Sequence, residues 1–113
     1  MTHVHGSFGG LAVEEPYDGL RRRTFDSEGA TVNEYTFEPG ARFPLHRHSQ
    51  EQITLVTEGD VELRAGEETS RLAAGDWSVV AGGVEHGITA GPAGARILAI
   101  VVPRRREAIT VVE

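Results

Sequence analysis

The residues with the clearest chemical potential in this chain are three histidines and one glutamine: His46, His48, Gln52 and His86. Side chains two apart on a strand point to the same face, so His46-Arg47-His48 presents two imidazoles side by side to one ion. Alone, a His-x-His pair is a weak signal and often only decorates a surface. Gln52 has the same parity as the pair and returns to the same interior if a turn at Ser49-Gln50 opens the next strand, which supplies a third donor. Further on, Gly82-Gly83-Val84-Glu85-His86 closes a turn and sets another imidazole at the start of a strand, and Gly87 beside it leaves room for a close backbone approach. That fourth donor, coming from a facing sheet, would close one side of an ion.

The elements that must hold these donors are strands. Turn signals at Glu38-Pro39-Gly40, Glu58-Gly59-Asp60, Ala65-Gly66-Glu67, Ala74-Gly75-Asp76, Gly82-Gly83 and Ala90-Gly91-Pro92 recur every seven to nine residues from Gly59 onward. This spacing suits strands and turns and is too short for βαβ units. Between the turns the period is two: Val61, Leu63 and Ala65 alternate with Asp60, Glu62 and Arg64, and Tyr35 and Phe37 alternate with Glu34 and Thr36. Ile53 to Val56 and Ile97 to Val102 are apolar on both parities, which predicts cover on both sides, inside a sandwich or at a subunit contact. No run of ten or more residues carries a helical stripe. Residues 1–20 read as an irregular arm holding at most an edge strand, and 21–113 as one all-β domain.

Composition narrows the chemistry further. At 113 residues, 39% apolar and 25% charged, the chain fits one globular domain with a single core. It has no cysteine, which removes thiolate catalysis, disulfides and iron–sulfur clusters and fits a reducing compartment. All eleven basic residues are arginine, so a lysine Schiff base is excluded. A net charge of −6 repels nucleic-acid phosphates, and no basic stripe interleaved with aromatics offsets it. No apolar run reaches the ~18 residues of a membrane span, and Met1-Thr2-His3-Val4-His5 lacks signal-peptide features, so a cytoplasmic location without membrane partners is expected.

Parity also nominates the surroundings of the donors. Asn33, Tyr35 and Phe37 share one face, and Thr54 and Val56 share that of Gln52; these are candidate cavity residues, with ordinary core packing as the alternative. Arg42, Phe43 and Leu45 precede the first histidine and are candidates for the cavity mouth. Glu51 and Glu85 sit beside donors but on the opposite parity, which places them outside. Trp77 and Val79 read as core or interface, and His3 and His5 as solvent-exposed. The triplets Arg21-Arg22-Arg23 and Arg104-Arg105-Arg106 read mainly as solvated surface, with one arginine available to a ligand carboxylate.

Two motifs make a family resemblance specific. Gly40, five residues, His46-x-His48, three residues, Gln52, six residues and Gly59 resembles the first motif of the cupin superfamily, with Gln where Glu is usual. Gly75, five residues, Ala81, one residue, Gly83, two residues and His86 is similar to the second, with Ala81 where Pro is common and Ala90 where Asn is common. The resemblance implies a single-domain conical jelly-roll β-barrel, frequently homodimeric, with His46, His48, Gln52 and His86 around a divalent ion. Four neutral donors would leave that ion its full formal charge, more Lewis-acidic and less tightly held than in a site containing Glu. Three imidazoles with one amide oxygen suit Mn, Fe, Ni or Zn better than Mg or Ca.

His46-Arg47-His48-Ser49-Gln50-Glu51-Gln52-Ile53 looks most like small cupins of the pectin-degradation type, members of which open or linearise unsaturated uronic-acid sugars. That group places an acidic residue, a Phe and an Arg along its last long strand and the segment after it; here Ala99 and Val101 replace the first two and Arg105 matches the third. The resemblance therefore implies a metal-dependent step on a small oxygenated substrate, of isomerase, cyclase or lyase type, with Arg105 holding a carboxylate. A quercetinase-like dioxygenase and a non-catalytic ligand-binding or sensor module are the other readings.

Overall fold

The computed structural model describes residues 2–113; Met1 lies outside them. The only helical turn among the described residues is a 3-10 turn at Phe8–Gly10. The strands that follow are β1 (Glu14–Tyr17), β2 (Leu20–Asp26), β3 (Thr31–Phe37), β4 (Arg42–Arg47), β5 (Glu51–Ala65), β6 (Glu68–Ala73), β7 (Trp77–Val80), β8 (His86–Val102) and β9 (Thr110–Val111). β1 is an edge strand in the segment read as an arm, and β2 starts with the fully buried Leu20.

All nine described strands belong to one antiparallel sheet that folds over on itself because β5 and β8 are long and bent. The C-terminal half of β8 pairs with β3 and with the first half of β5; its N-terminal half pairs with β4 and with the second half of β5. One layer is thus built on β2, β3 and β7 and the other on β9, β4 and β6, with β5 and β8 running through both. This is the all-β jelly-roll arrangement expected of the chain.

Two predicted turns prove to be corners instead. Glu58-Gly59-Asp60 and Ala90-Gly91-Pro92 lie inside β5 and β8, where the pairing slips by bulges between Val56 and Glu58 and between Gly59 and Val61. Gly59 has φ 70°, and a side chain there would collide with the Gly94 carbonyl, so it bends the strand without reversing it.

The alternation read from sequence sets the interior. β3 buries Thr31, Asn33, Tyr35 and Phe37 and leaves the residues between them partly exposed. Leu20, Phe43, Val56, Val61, Leu63, Ile88, Ile97 and Ala99 complete a core between the layers. Cover on both faces of β5 and β8 is not complete within one chain. Ile53, Leu55, Leu98 and Ile100 are only partly buried on the outside, and Trp77 and Val79 are 67% and 52% exposed. The core reading of Trp77 and Val79 is therefore corrected: β7 packs its Val80 parity inward, which turns both residues out.

Candidate metal centre

β4 ends at Arg47, so His46 is its last inward residue and His48 follows as the chain turns through Ser49-Gln50 into β5. β5 then brings Gln52 back to the same interior, and β8 opens on His86, which pairs with His46 across the ladder. The close approach expected at Gly87 is present: a Cβ there would lie 3.2 Å from the Leu45 nitrogen and the Phe43 oxygen. Among the described residues His46, His48 and His86 bring one ring nitrogen each within 4.8 Å of one another, and all three are buried. Gln52 Oε1 lies 3.2 Å from His48 Nε2 and 3.1 Å from His86 Nε2.

The protons are fixed by partners outside the cluster. Nδ1 of His46 faces the Pro44 carbonyl at 2.8 Å, that of His48 the Gln50 carbonyl at 3.0 Å and that of His86 the Val84 carbonyl at 2.9 Å. A carbonyl only accepts, so each Nδ1 carries the hydrogen and each neutral ring turns an Nε2 lone pair inward. Gln52 commits its own N–H to Thr54 Oγ1 at 3.1 Å, which aims Oε1 at the same point. Three nitrogen lone pairs and one amide oxygen thus converge with no proton between them. A divalent transition metal fits this set, and backbone carbonyls on the outer ring nitrogens are the usual means of orienting metal-binding imidazoles.

Burial keeps the rings neutral. It pushes His46 down to about 3, with the neighbouring His86 adding to the effect. Burial likewise holds His48 and His86 below the ordinary imidazole value. Such rings offer lone pairs to a cation across the whole physiological range.

The adjoining cavity has about 10 Å3 of free space, room for roughly one water. It is lined by Asn33, Tyr35, Phe43, Ile88, Val101 and Arg105 together with the donors. Tyr35 and Arg105 thus both line the cavity next to the donors. Thr54 is fully buried and serves the cavity indirectly, through Gln52. Arg42 is corrected: it is exposed, does not line the cavity, and pairs with Glu113 at 2.6 Å, because its parity on β4 is opposite to that of Phe43. Glu51 and Glu85 are exposed as expected, and Glu85 pairs with Arg47.

Sequence reasoning missed the three carbonyl acceptors, which carry no side-chain signature. It also missed Ile88, although that residue shares the parity of His86. The cavity lining contains no carboxylate; Ala99, in the place where the pectin-type pattern is acidic, is buried, and its carbonyl faces Asn33 Nδ2 at 3.5 Å.

Comparisons with known proteins agree with this fold. A cupin domain model matches residues 33–101. An RmlC-like cupin from Shewanella frigidimarina superposes with a TM-score of 0.83 at 27% identity, covering 92% of this chain and 95% of its own. KdgF from a Halomonas species gives 0.80 at 25% identity, covering 89% and 96%. Oxalate decarboxylase from Bacillus subtilis gives 0.86 at 19% identity; the match covers 95% of this chain but only 31% of that longer one, and it speaks to the fold alone. No curated protein matches. Among the described residues no helix is long and apolar enough to cross a membrane. With the match spanning most of the sheet and both histidine motifs, the chain belongs to the cupin family.

Proposed function

We propose that this cupin is a small-molecule enzyme in which His46, His48, Gln52 and His86 hold one divalent transition metal, Mn, Fe, Ni or Zn, for an isomerase, cyclase or lyase-like step. The observation that carries the reading is the pairing of the lone-pair cluster with Arg105 in one cavity that has no carboxylate. When bound, the ion supplies Lewis acidity to a carbonyl or hydroxyl oxygen. Arg105 supplies a fixed cation for a substrate carboxylate, and its backbone N–H is anchored to Thr31 Oγ1 at 3.0 Å. Burial raises the Tyr35 phenol above its usual value, so Tyr35 keeps its proton and donates a hydrogen bond to substrate oxygen; it is not a base. Without a carboxylate base of its own, the site suits substrates whose proton is already acidified beside a carbonyl.

Turnover of a panel of unsaturated uronic acids and aromatic keto acids, with the chain loaded in turn with each metal, tests the proposal. Consumption that requires metal and shows a raised KM in Arg105→Leu supports it. Two other outcomes favour the competing readings. Turnover that stops without dioxygen identifies a quercetinase-like oxygenase. Saturable binding without turnover identifies a ligand-binding or sensor module.

Self-association is proposed as well. Phe25, Val32, Ile100, Ile53 and Val79 are successive cross-strand neighbours on the outer face, with Leu98, Leu55 and Trp77 in the adjacent row. At about 4.8 Å per strand this apolar band is ~19 Å wide. A second copy of the chain, packed sheet to sheet, would cover its β5, β7 and β8 part; at the β2 end Phe8 already packs on Phe25, with ring centroids 5.8 Å apart. Trp77→Glu should then shift the chain from dimer to monomer in light scattering; an unchanged mass would remove this face from the interface.

A further inference from the structure

A second concavity lies on the other side of β3 from the histidines. Asn33 and Tyr35 point into the metal cavity, whereas Glu34 and Thr36 face a separate cleft of about 400 Å3. That volume is within the range of about 300–1,000 Å3 typical of ligand pockets. Arg21 pairs with Thr36 across β2 and β3, and Thr36 pairs with Arg96 across β3 and β8, so two guanidiniums flank one hydroxyl. At about 4.8 Å per strand their backbones are ~10 Å apart, a span that two long side chains can close around one anionic group. Arg23, two residues along the same face, adds a third guanidinium, and Phe8 and Val13 of the N-terminal arm form an apolar wall.

These arginines are incompletely engaged inside the chain. Among the described residues Glu34 is the only acidic one lining the cleft, and the fourth arginine there, Arg22, is paired with Glu14 at 3.3 Å. Arg21 meets the half-exposed Glu38 at 3.5 Å, and Arg23 spends one N–H on the Phe8 carbonyl at 3.1 Å. Arg96 Nε is shielded from solvent and has no hydrogen-bond acceptor, its only carboxylate contact among the described residues being a long ion pair with the exposed Glu58 at 3.8 Å. Each guanidinium offers five N–H donors, and a shielded charged donor without an acceptor is unfavourable. In a chain of net charge −6, this concentration of positive charge calls for a complementary group.

We propose that the cleft binds a small organic anion, with its carboxylate or phosphate head between Arg21 and Arg96 over Thr36 and its apolar body against Phe8 and Val13. The site is independent of the metal centre and of the reaction assigned to it.

Titrations of the isotope-labelled, Zn-loaded chain with naphthoate, naphthyl phosphate and the uncharged naphthalenemethanol test this, read at the arginine Nε–H resonances. At least one of the two anions should bind saturably, with Kd of about 1 mM or tighter and the largest shifts at Arg21, Arg23 and Arg96. Which anion binds more tightly identifies the preferred head group. Arg21→Ala and Arg96→Gln should each weaken binding about tenfold, with the backbone spectrum otherwise preserved, and Arg105→Leu should leave the titration shifts at Arg21, Arg23 and Arg96 unchanged. The proposal is overturned if neither anion saturates, if the alcohol binds as tightly as the anions, or if Arg96→Gln retains full affinity.

Discussion

Thr54→Val provides the sharpest examination of the metal centre, because it alters no ligand. Thr54 is 0% exposed, and its Oγ1 accepts the Gln52 N–H at 3.1 Å. Valine keeps the shape and removes that acceptor. In the metal-free variant the carboxamide can turn over and donate its N–H groups to the lone pairs of His48 and His86, which satisfies both rings and leaves only its own Oε1, now against the introduced valine, without a donor. In the loaded variant Oε1 must face the ion, and a buried N–H is left without a partner. An unsatisfied buried donor costs about 1–3 kcal/mol. A stranded N–H is less tolerated than a stranded carbonyl oxygen, so the loaded state loses more, and metal affinity should drop by about threefold to tenfold, equivalent to ~0.7–1.4 kcal/mol. Thr54→Ser restores a hydroxyl and should recover most of the affinity. The assay is competition with a chelator of known affinity, together with denaturant unfolding of the metal-free forms, which should differ by no more than about 1 kcal/mol. Wild-type affinity in Thr54→Val, or a serine variant as weak as the valine one, would refute the reasoning.

Other expected outcomes concern the donors and their protons. His86→Ala should strongly lower metal content after purification while Glu51→Ala does not, since one is buried in the cluster and the other exposed; equal losses by elemental analysis would contradict the assignment. Gln52→Glu should slow metal loss to a chelator, because a carboxylate adds charge attraction that the amide lacks, and faster loss would remove Gln52 from the ligand set. Metal-free protein should lose stability as pH falls. His46, His48 and His86 are held below the ordinary imidazole value in the folded chain, so below about pH 6.5 the unfolded chain binds more protons. Their contribution is fully present above that pH and is lost on acidification towards the His46 value of about 3, with a slope of at most about 4 kcal/mol per pH unit for three protons. Denaturant unfolding between about pH 7.5 and pH 5 measures it; a flat profile would mean that the imidazoles are not held neutral.

Much of the site was legible because strand geometry is periodic. The two-residue repeat put His46, His48 and Gln52 on one face and Glu51 and Glu85 on the other, and the structure keeps all five there. Periodicity was less reliable where glycine had two uses. Gly59 and Gly91 look like reversals in sequence, but they sit in bends of continuous strands, since positive φ or a missing Cβ serves a bulge as well as a turn. Trp77 shows the same limit from another direction. Its size suggests burial, whereas its parity relative to Val80 on a short outer strand turns it to the surface.

The one-dimensional pattern determined the all-β class, the donor types, their common face and the exclusion of thiolate and lysine chemistry, because each follows from residue identity and a fixed period. Only the folded sheet decided which groups meet. The backbone carbonyls that set the histidine protons, the Thr54 hydroxyl that aims Gln52, the loss of Arg42 to Glu113 and the Arg21–Thr36–Arg96 cleft all depend on cross-strand register and on the bends of β5 and β8. Register joins residues far apart in the chain, so no local spacing encodes it.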